Sequence, residues 1–353
     1  MGIDWKKAFK AEQPDVLGVD IGSEQVKLVE LRKTGSGYSV TAAAIGRIEP
    51  SDQEPETDSS STRAIVDALA CSSTRTRLAV CGVCGPEVAV RGFKFPALPK
   101  EEIAGAVLLE AAQVCPFNIE DGEVDYELMP NGDDCMRGVL VAATRKVIRN
   151  KTRLAGSADL KCVLMDVDAL ALLNCFSELE NSEQGHDEGQ RTTAILNVGN
   201  RYATLAIRGS EGLPFARDIA YAGKHVIEQI AGRAGIPEET VGSRLFAGEA
   251  TPEPDVCESM RAACQKLITD VTETLRYYNA QEKQGAVDTV HVCGGFSLAA
   301  GFVELLNSEL PAEAVQWNPF DKIRCTAGRD CEQLVSSKGP ALAVAAGFAM
   351  RSI

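Results

Sequence analysis

The chain has 353 residues, more than one compact core usually holds, and we therefore expect two or more lobes. Hydrophobic residues make up 45% and charged residues 24%, which is ordinary for a globular protein. The net charge of −14 argues against a nucleic-acid partner, because phosphate backbones are bound through lysine and arginine. No apolar run approaches the ~20 residues that cross a bilayer, and no secretory signal is expected at the start.

A basic tail, residues 1–14, precedes the first predicted strand. Its aromatic and lysine side chains could lie on a membrane surface as a short amphipathic stretch: Trp5, Lys6, Lys7, Phe9 and Lys10. So few residues offer little apolar area, which favours a disordered tail.

A first lobe is predicted from residues 15–85 and 161–190. It begins with three strands, at 16–21, 25–33 and 37–47, with the second turn made by Gly35 and Gly37. An acidic segment at 50–62 is predicted to be a solvated linker. The remaining elements are a helix, two strands and a second helix, at 62–71, 77–83, 162–167 and 168–179.

Residues 86–160 are predicted to form a small inserted α/β module. The pattern gives a strand, a helix, two strands and a helix, at 87–95, 100–115, 123–129, 138–144 and 145–155. The first helix places Ile103, Val107 and Ala111 on one face, and Thr144 is expected to cap the second.

A second lobe is predicted from residues 191–236 and 287–353, with a helical subdomain at 237–286. Its core repeats the order of the first lobe, with strands at 192–198, 202–208 and 213–219 and a helix at 223–234. The remaining elements are a long helix, a strand and two helices, at 255–282, 287–293, 298–309 and 340–351. The last helix is rich in alanine and is expected to pack close to backbone.

A short pattern occurs twice, 177 residues apart. In each copy an apolar strand ends in an acidic or amide residue, an apolar residue and a glycine, and a polar turn leads into a second strand. The matched positions are Asp20 with Asn197, Gly22 with Gly199, Ser23 with Asn200, and Lys27 with Thr204. One copy alone would favour a plain hairpin with an Asx turn. The duplication favours two lobes that hold a phosphate tail between them.

The first copy carries chemistry suited to a metal–phosphate complex. Gly22 and Ser23 make a tight turn whose backbone N–H groups could point at phosphate oxygens. Asp20 would repel a phosphate directly, but it could hold waters of a Mg²⁺ ion that neutralises the phosphates. Lys27 could reach a phosphate as a point charge.

Two further turns are candidates for the nucleoside side of such a site. Gly294 and Gly295 follow a buried strand and would let backbone approach a flat ring, with Ser297 as the cap of the next helix. Gly223 and Lys224 begin the helix after the second hairpin, where a solvated helix start is an equally good interpretation.

The pair Cys81 and Cys84 has the spacing of metal ligands. A zinc site would want a second pair or a nearby histidine, which the sequence does not offer, so we interpret both as small core residues.

Taken together, these elements resemble the superfamily of actin, Hsp70 and the sugar kinases, and within it the PilM family of type IV pilus assembly proteins, relatives of the division protein FtsA. The stretches that carry the resemblance run from Leu17 to Ser23, Val26 to Leu31, Phe95 to Pro99, Glu110 to Phe117, Val124 to Tyr126, Val141 to Arg145, Asp166 to Leu170, Trp317 to Phe320 and Pro340 to Gly347. The resemblance implies an actin-like two-lobe α/β fold, made of duplicated ribonuclease-H-like βββαβα units with an inserted small α/β subdomain.

The resemblance also implies a function and a location. Such proteins lie in the cytoplasm at the inner face of the inner membrane, without a transmembrane segment, and bind ATP with Mg²⁺. They capture the N-terminal cytoplasmic peptide of a PilN-like membrane protein between the first lobe and the inserted module, and they contact other pilus assembly proteins.

The chain departs from the family pattern at three positions. Asn197 stands where the family usually has Asp, and an amide lacks the charge that draws Mg²⁺ or orients a water, so we expect binding with weak or absent hydrolysis. Val226 replaces a frequent Thr, and Phe296 replaces a glycine, so that its ring could narrow the adenine cleft.

Two alternatives remain open. An active ATPase or a sugar-kinase-like phosphotransferase would need a catalytic Asp near the second hairpin, where Asn197 stands. An FtsA-like filament-forming membrane tether would want a long amphipathic helix after a linker, whereas this sequence stops at Ile353.

Overall fold

The computed structural model describes residues 15–35, 37–49, 54–129, 135–180, 192–209, 212–247, 254–281 and 286–353. The proposed basic tail lies outside these residues. The strands are β1 (Leu17–Ile21), β2 (Gln25–Thr34), β3 (Gly37–Arg47), β4 (Leu78–Val83), β5 (Val88–Pro96), β6 (Gly122–Met129), β7 (Cys135–Thr144), β8 (Lys161–Val167), β9 (Thr193–Val198), β10 (Ala203–Arg208), β11 (Pro214–Ile219), β12 (Thr289–Cys293), β13 (Glu313–Gln316) and β14 (Arg324–Cys325).

The helices are α1 (Glu54–Cys71), α2 (Lys100–Val114), α3 (Arg145–Ser157), α4 (Asp168–Glu180), α5 (Gly223–Ala234), α6 (Glu238–Leu245), α7 (Pro254–Gln281), α8 (Phe302–Glu309), α9 (Arg329–Lys338) and α10 (Ala343–Ala349). None of them is both long and apolar enough, over the residues described, to cross a membrane.

The two large sheets repeat one topology. The first has the order β14-β3-β2-β1-β4-β8, and the second has the order β11-β10-β9-β12-β13. In each, three antiparallel strands come first along the chain and two parallel strands extend the sheet from the first of them. The duplicated βββαβα unit expected from the sequence is thus confirmed, and the chain has the two-lobe actin-like fold.

The acidic segment at 50–62 is largely helical rather than a linker, and that prediction was wrong from Glu54 onward. Helix α1 packs on β2 and β3 through Ala64, Ile65 and Ala68, which are almost fully buried. The acidic residues and serines at its beginning led to the prediction of a solvated linker, although such residues also suit the first turns of a helix.

The inserted module has a three-stranded sheet, β5-β7-β6, with α2 on one face. Ile103, Val107 and Ala111 of α2 are buried there, as predicted. Thr144 caps α3, as expected, accepting from the Val147 N–H at 3.3 Å. However, α3 packs mainly on α1, β4 and β8 of the first lobe, so we propose that the module ends near Thr144 rather than at 160.

The last part of the chain returns to the first lobe, which contradicts the assignment of all of 287–353 to the second. Strand β14 pairs in parallel with β3, and α10 packs on β1, β2 and α4. The packing is close enough that a Cβ on Gly18 would lie 2.0 Å from the carbonyl oxygen of Ala345. The alanine-rich helix therefore does approach backbone, but in the other lobe.

The turn after β12 also differs from its prediction. Residues Gly295–Leu298 form one turn of 3-10 helix, and α8 begins only at Phe302, after Gly301 in the left-handed conformation at φ 75°. Ser297 therefore does not cap α8. The long helix predicted in the helical subdomain is confirmed as α7, which packs on α5 and α8.

Candidate functional site

The two copies of the repeated pattern fold into the same hairpin. The N–H of Gly22 donates to the Gln25 carbonyl at 3.0 Å, and the N–H of Gly199 donates to the Tyr202 carbonyl at 3.1 Å. A Cβ on either glycine would come within 3.0 Å of its turn's carbonyl oxygen. The strand partners also correspond, since Asp20 faces Lys27 and Asn197 faces Thr204. In both copies the N–H of the glycine is therefore engaged within the turn, and a phosphate contact from it stays a prediction.

The two hairpin turns meet across the lobes. The side-chain amide of Asn200 donates to the hydroxyl of Ser23 at 3.2 Å. These residues occupy the same position in the repeat, so corresponding points of the two copies touch each other. At this distance no phosphate group fits between the two side chains, and a ligand that joins the turns must separate this contact.

The start of α5 is attached to the second hairpin. The N–H of Gly223 donates to the Gly199 carbonyl at 3.1 Å, and that of Lys224 donates to the Asn200 carbonyl at 2.8 Å. The Lys224 ammonium lies 3.5 Å from Glu228 on the next helical turn, and both side chains are about half exposed. The sequence placed Gly223 and Lys224 near the second hairpin, and the structure brings them into direct contact with it.

Gly294 lies directly beside the second hairpin. It has φ 92°, and a Cβ there would be 2.4 Å from the Val198 carbonyl oxygen and 2.5 Å from Oδ1 of Asn197. Gly295 has open space at its Cβ position. Ser297 is only 2% exposed and donates to the Gly294 carbonyl at 2.7 Å, so its hydroxyl stabilises the turn. A contact between Ser297 and a nucleoside stays a prediction.

The Phe296 ring is buried between two parts of the second lobe. It packs edge-on against the rings of Phe302 and Phe246, with centroid distances of 4.9 and 6.2 Å. A Cβ on Gly223 would lie 2.7 Å from this ring, so Gly223 is needed for the close packing. The ring that stands at a usual glycine thus fills space beside α5. Its effect on an adenine cleft stays a prediction.

Asp20 and Lys27 form an ion pair at 3.0 Å, and both side chains are mostly buried, with exposed fractions of 15% and 13%. Lys27 is therefore held by Asp20 rather than projecting alone toward a phosphate. The charge of Asp20 also acts on Asp168, the first residue of α4. Burial, followed by the negative charge of Asp20, raises the pKa of Asp168 to about 7.

A third carboxylate comes from the second lobe. Asp218 on β11 accepts from the Thr204 hydroxyl and, at 2.6 Å, from the N–H of Gly85 at the end of β4. Burial raises the pKa of Asp218, while these two hydrogen bonds oppose the shift. Thr204 is 2% exposed, and its hydroxyl donates to Asp218. The direct phosphate contact expected of Thr204 stays a prediction.

Lys151 and Cys84 complete the surroundings of Asp168. The Cys84 thiol donates to Asp168, and the charge of Lys151 acts on both groups. The Lys151 ammonium also donates to the Ile21 carbonyl in the first hairpin. The region between the lobes therefore contains the carboxylates of Asp20, Asp168 and Asp218 and the ammonium groups of Lys27 and Lys151. Such a set of charges can hold hydrated Mg²⁺ and anionic phosphates together.

Sequence reasoning missed Asp168, Asp218 and Lys151. Asp168 had a usable signal, because it directly follows the strand predicted at 162–167. Asp218 could have been found as the strand partner of Thr204. Lys151 is one of five basic residues in α3, which has no acidic ones, and nothing in the sequence distinguished it from the other four.

Cys81 and Cys84 lie at the end of β4, with Cys81 buried. Over the part of the chain that the structure describes, no three His, Cys, Asp or Glu side chains form a group that could hold a metal ion directly.

The family model described as type IV pilus assembly protein PilM matches residues 18–353. The chain belongs to the PilM family. The match covers both hairpins, the inserted module and the returning C-terminal helix.

Solved structures share the fold of this PilM-family chain. The structure described as the PilM-PilN type IV pilus biogenesis complex is 22% identical with a TM-score of 0.81, over 96% of this chain and 98% of that chain. The ethanolamine utilization protein EutJ from Carboxydothermus hydrogenoformans is 13% identical with a TM-score of 0.56, over 96% of this chain and 89% of that chain. A diol dehydratase-reactivating factor in nucleotide-free form is 11% identical with a TM-score of 0.51, over 94% of this chain and 98% of that chain.

Proposed function

We propose that this protein is a nucleotide-binding adaptor of type IV pilus assembly. It holds ATP with Mg²⁺ between its lobes and captures the N-terminal cytoplasmic peptide of a PilN-like inner-membrane protein. The peptide lies between the first lobe and the inserted module, and the protein works at the cytoplasmic face of that membrane. Family membership supports the pilus role, and a solved relative described as a PilM-PilN complex supports the partner.

The observation that carries the nucleotide proposal is the pair of matched hairpins with a carboxylate cluster beneath them. Burial, and then the negative charge of Asp20, raises the pKa of Asp168. A divalent cation bound nearby would stabilise both in their ionised forms. The residues present therefore fit an ATP–Mg²⁺ complex, with Asp20 holding metal waters and the residues of both turns near the phosphates.

Weak or absent hydrolysis follows from Asn197 and its surroundings. Its amide oxygen lies 3.9 Å from the Cys293 thiol and beside the Gly294 turn. An uncharged amide there neither attracts a second metal ion nor takes a proton from water. The second hairpin thus binds and orients, and bound Mg²⁺ would supply only neutralisation of phosphate charge.

One observation favours an active ATPase as the second candidate. Burial, and then the charge of Asp20, raises the pKa of Asp168 to about 7, which suits a group that exchanges a proton near neutral pH. If Asp168 serves this role, Asp168→Asn should abolish phosphate release from a wild-type protein that shows rapid release.

Calorimetric titration with ATP and Mg²⁺ tests the proposed site. We expect the wild-type protein to bind, Asp20→Asn to bind at least about tenfold more weakly, and the exposed-site control Asp67→Asn on α1 to bind as the wild type does. Equal binding by Asp20→Asn would remove Asp20 from the site. Absence of wild-type binding would refute the nucleotide role.

Capture of a peptide with the sequence of a PilN-type N-terminus, measured with the same proteins, tests the partner separately. We expect binding by the wild-type protein and by Asp67→Asn. A protein that binds ATP but not this peptide would refute the proposed partner and leave the nucleotide site standing.

A further inference from the structure

Helix α2 of the inserted module presents an apolar face to solvent. Its opposite face packs on the module sheet through Ile103, Val107 and Ala111. The outward face carries Leu108 and Leu109, whose exposed fractions are 52% and 69%. Both are among the large hydrophobic side chains with unusually high exposure in the described structure.

Mostly small residues surround the two leucines. The exposed positions three or four residues before and after them are Ala104, Gly105, Ala112 and Gln113. These spacings of three and four residues place them with the leucines on one side of the helix. A Cβ on Gly105 would meet nothing within 4 Å. The face therefore combines two projecting side chains with flat surroundings that another helix could approach closely.

The segment that contains this face is strongly acidic. Residues 100–129 contain eight acidic and one basic side chain, a net charge of −7, which is half of the −14 of the whole chain. On α2 itself the acids are Glu101, Glu102 and Glu110. On the edge strand β6, Glu123, Asp125 and Glu127 alternate with Val124 and Tyr126, which pack toward α2. These three acids therefore lie on the opposite face of the module sheet, where Arg145 pairs with Glu123 at 2.6 Å.

We infer that the outward face of α2 docks a basic amphipathic helix of a partner protein, at a surface separate from the proposed PilN-type groove. The leucines supply the apolar contact, and the acidic surroundings attract lysine and arginine at the edges of the partner helix. Self-association through this face would bring two acidic surfaces together. A membrane of anionic lipid would repel it for the same reason.

The probe is a synthetic helical peptide of leucine and lysine, about 18 residues long, with one continuous apolar face. A scrambled peptide of the same composition has the same charge but no such face. In fluorescence anisotropy with the full chain, we expect the amphipathic peptide to bind at least about tenfold more tightly than the scrambled one.

The double variant Leu108→Ser/Leu109→Ser should remove this difference, and Leu109→Gln alone should reduce it. Val66→Ser, which changes a residue on α1 that is 46% exposed, is the matched control and should preserve it. Glu101→Gln/Glu102→Gln/Glu110→Gln should weaken binding and lower its dependence on salt. Equal affinity of wild type and double variant for the amphipathic peptide would overturn the inference.

Two further measurements separate other occupants. A wild-type dimer in sedimentation velocity that the double variant abolishes would assign the face to a second copy and overturn the inference. Loss of PilN-type peptide capture in the double variant would merge this face with the proposed groove and also overturn it. Retained capture, together with loss of amphipathic peptide binding, supports a separate surface.

Discussion

The buried carboxyl of Asp168 gives the stability of the protein an unusual pH dependence. Its pKa rises from an ordinary 3.8 to about 7, mainly because of burial and then because of Asp20. Between these pH values the folded protein keeps the proton and the unfolded chain has released it. Rising pH therefore favours unfolding, and stability falls as pH increases from about 4 to 7.

The size of the effect follows from the shift. About three pKa units at 1.36 kcal/mol each give at most about 4 kcal/mol lost by pH 8 relative to pH 4. Asp168→Asn has no proton to lose, keeps nearly the same shape and can still accept from the Cys84 thiol. We expect the variant to lack this loss and to be more stable than the wild type above pH 7.

Urea unfolding at pH 5, 6, 7 and 8 without nucleotide measures the difference between the two proteins. The control is Asp67→Asn, which changes an exposed side chain on α1 and should follow the wild type. If Asp168→Asn and the wild type show parallel pH profiles, Asp168 does not hold its proton near neutral pH. The account of the carboxylate cluster would then be wrong.

Three substitutions test other contacts by urea unfolding, and a fourth, Gly232→Ala, is the control for one of them. Arg351→Ala should destabilise the protein by about 3–5 kcal/mol, because it leaves the carboxylate of Asp166, 7% exposed and held by two hydrogen bonds, without its partner; no change would mean that this pair is not formed. Gly18→Ala should strongly destabilise the protein by clashing with α10, whereas Gly232→Ala in α5, with open space around it, should stabilise it by about 0.5–1 kcal/mol. Phe296→Ala should cost about 3–5 kcal/mol by opening a cavity beside α5, and a loss below 1 kcal/mol would show that the ring is not packed as described.

The duplicated hairpins could be predicted from sequence because their shape depends on local chemistry. A glycine is required where the turn approaches its own carbonyl, at Gly22 and Gly199, and apolar strands flank both turns. The direct contact between Ser23 and Asn200 could not be predicted, since it depends on how the lobes sit together.

The return of the chain to the first lobe was missed for a similar reason. Strand β14 has only two residues, too few for a recognisable alternation, and α10 is apolar on every side. Glycines at positions 18 and 82 did mark the contact, because Ala345 and Phe348 of α10 take the space that side chains there would need. The sequence alone, however, does not show which residues pack against such a glycine.

Asp168 shows where single-sequence reasoning about the site ends. Its position after a strand was visible, but its raised pKa depends on burial by residues far apart in the chain. Asn197 was predicted to weaken hydrolysis from its chemistry alone. That prediction requires a measurement of turnover.

The most direct test of a clamp that holds nucleotide without cutting it is the fate of bound ATP. In this experiment the protein is mixed with ATP and Mg²⁺ at concentrations that calorimetric titration shows to be saturating. The bound nucleotide is then recovered at successive times and identified by chromatography. We expect it to be recovered as ATP, with little or no phosphate released. ADP accumulating beyond one equivalent per protein would contradict the account, because the uncharged second hairpin would then support catalysis.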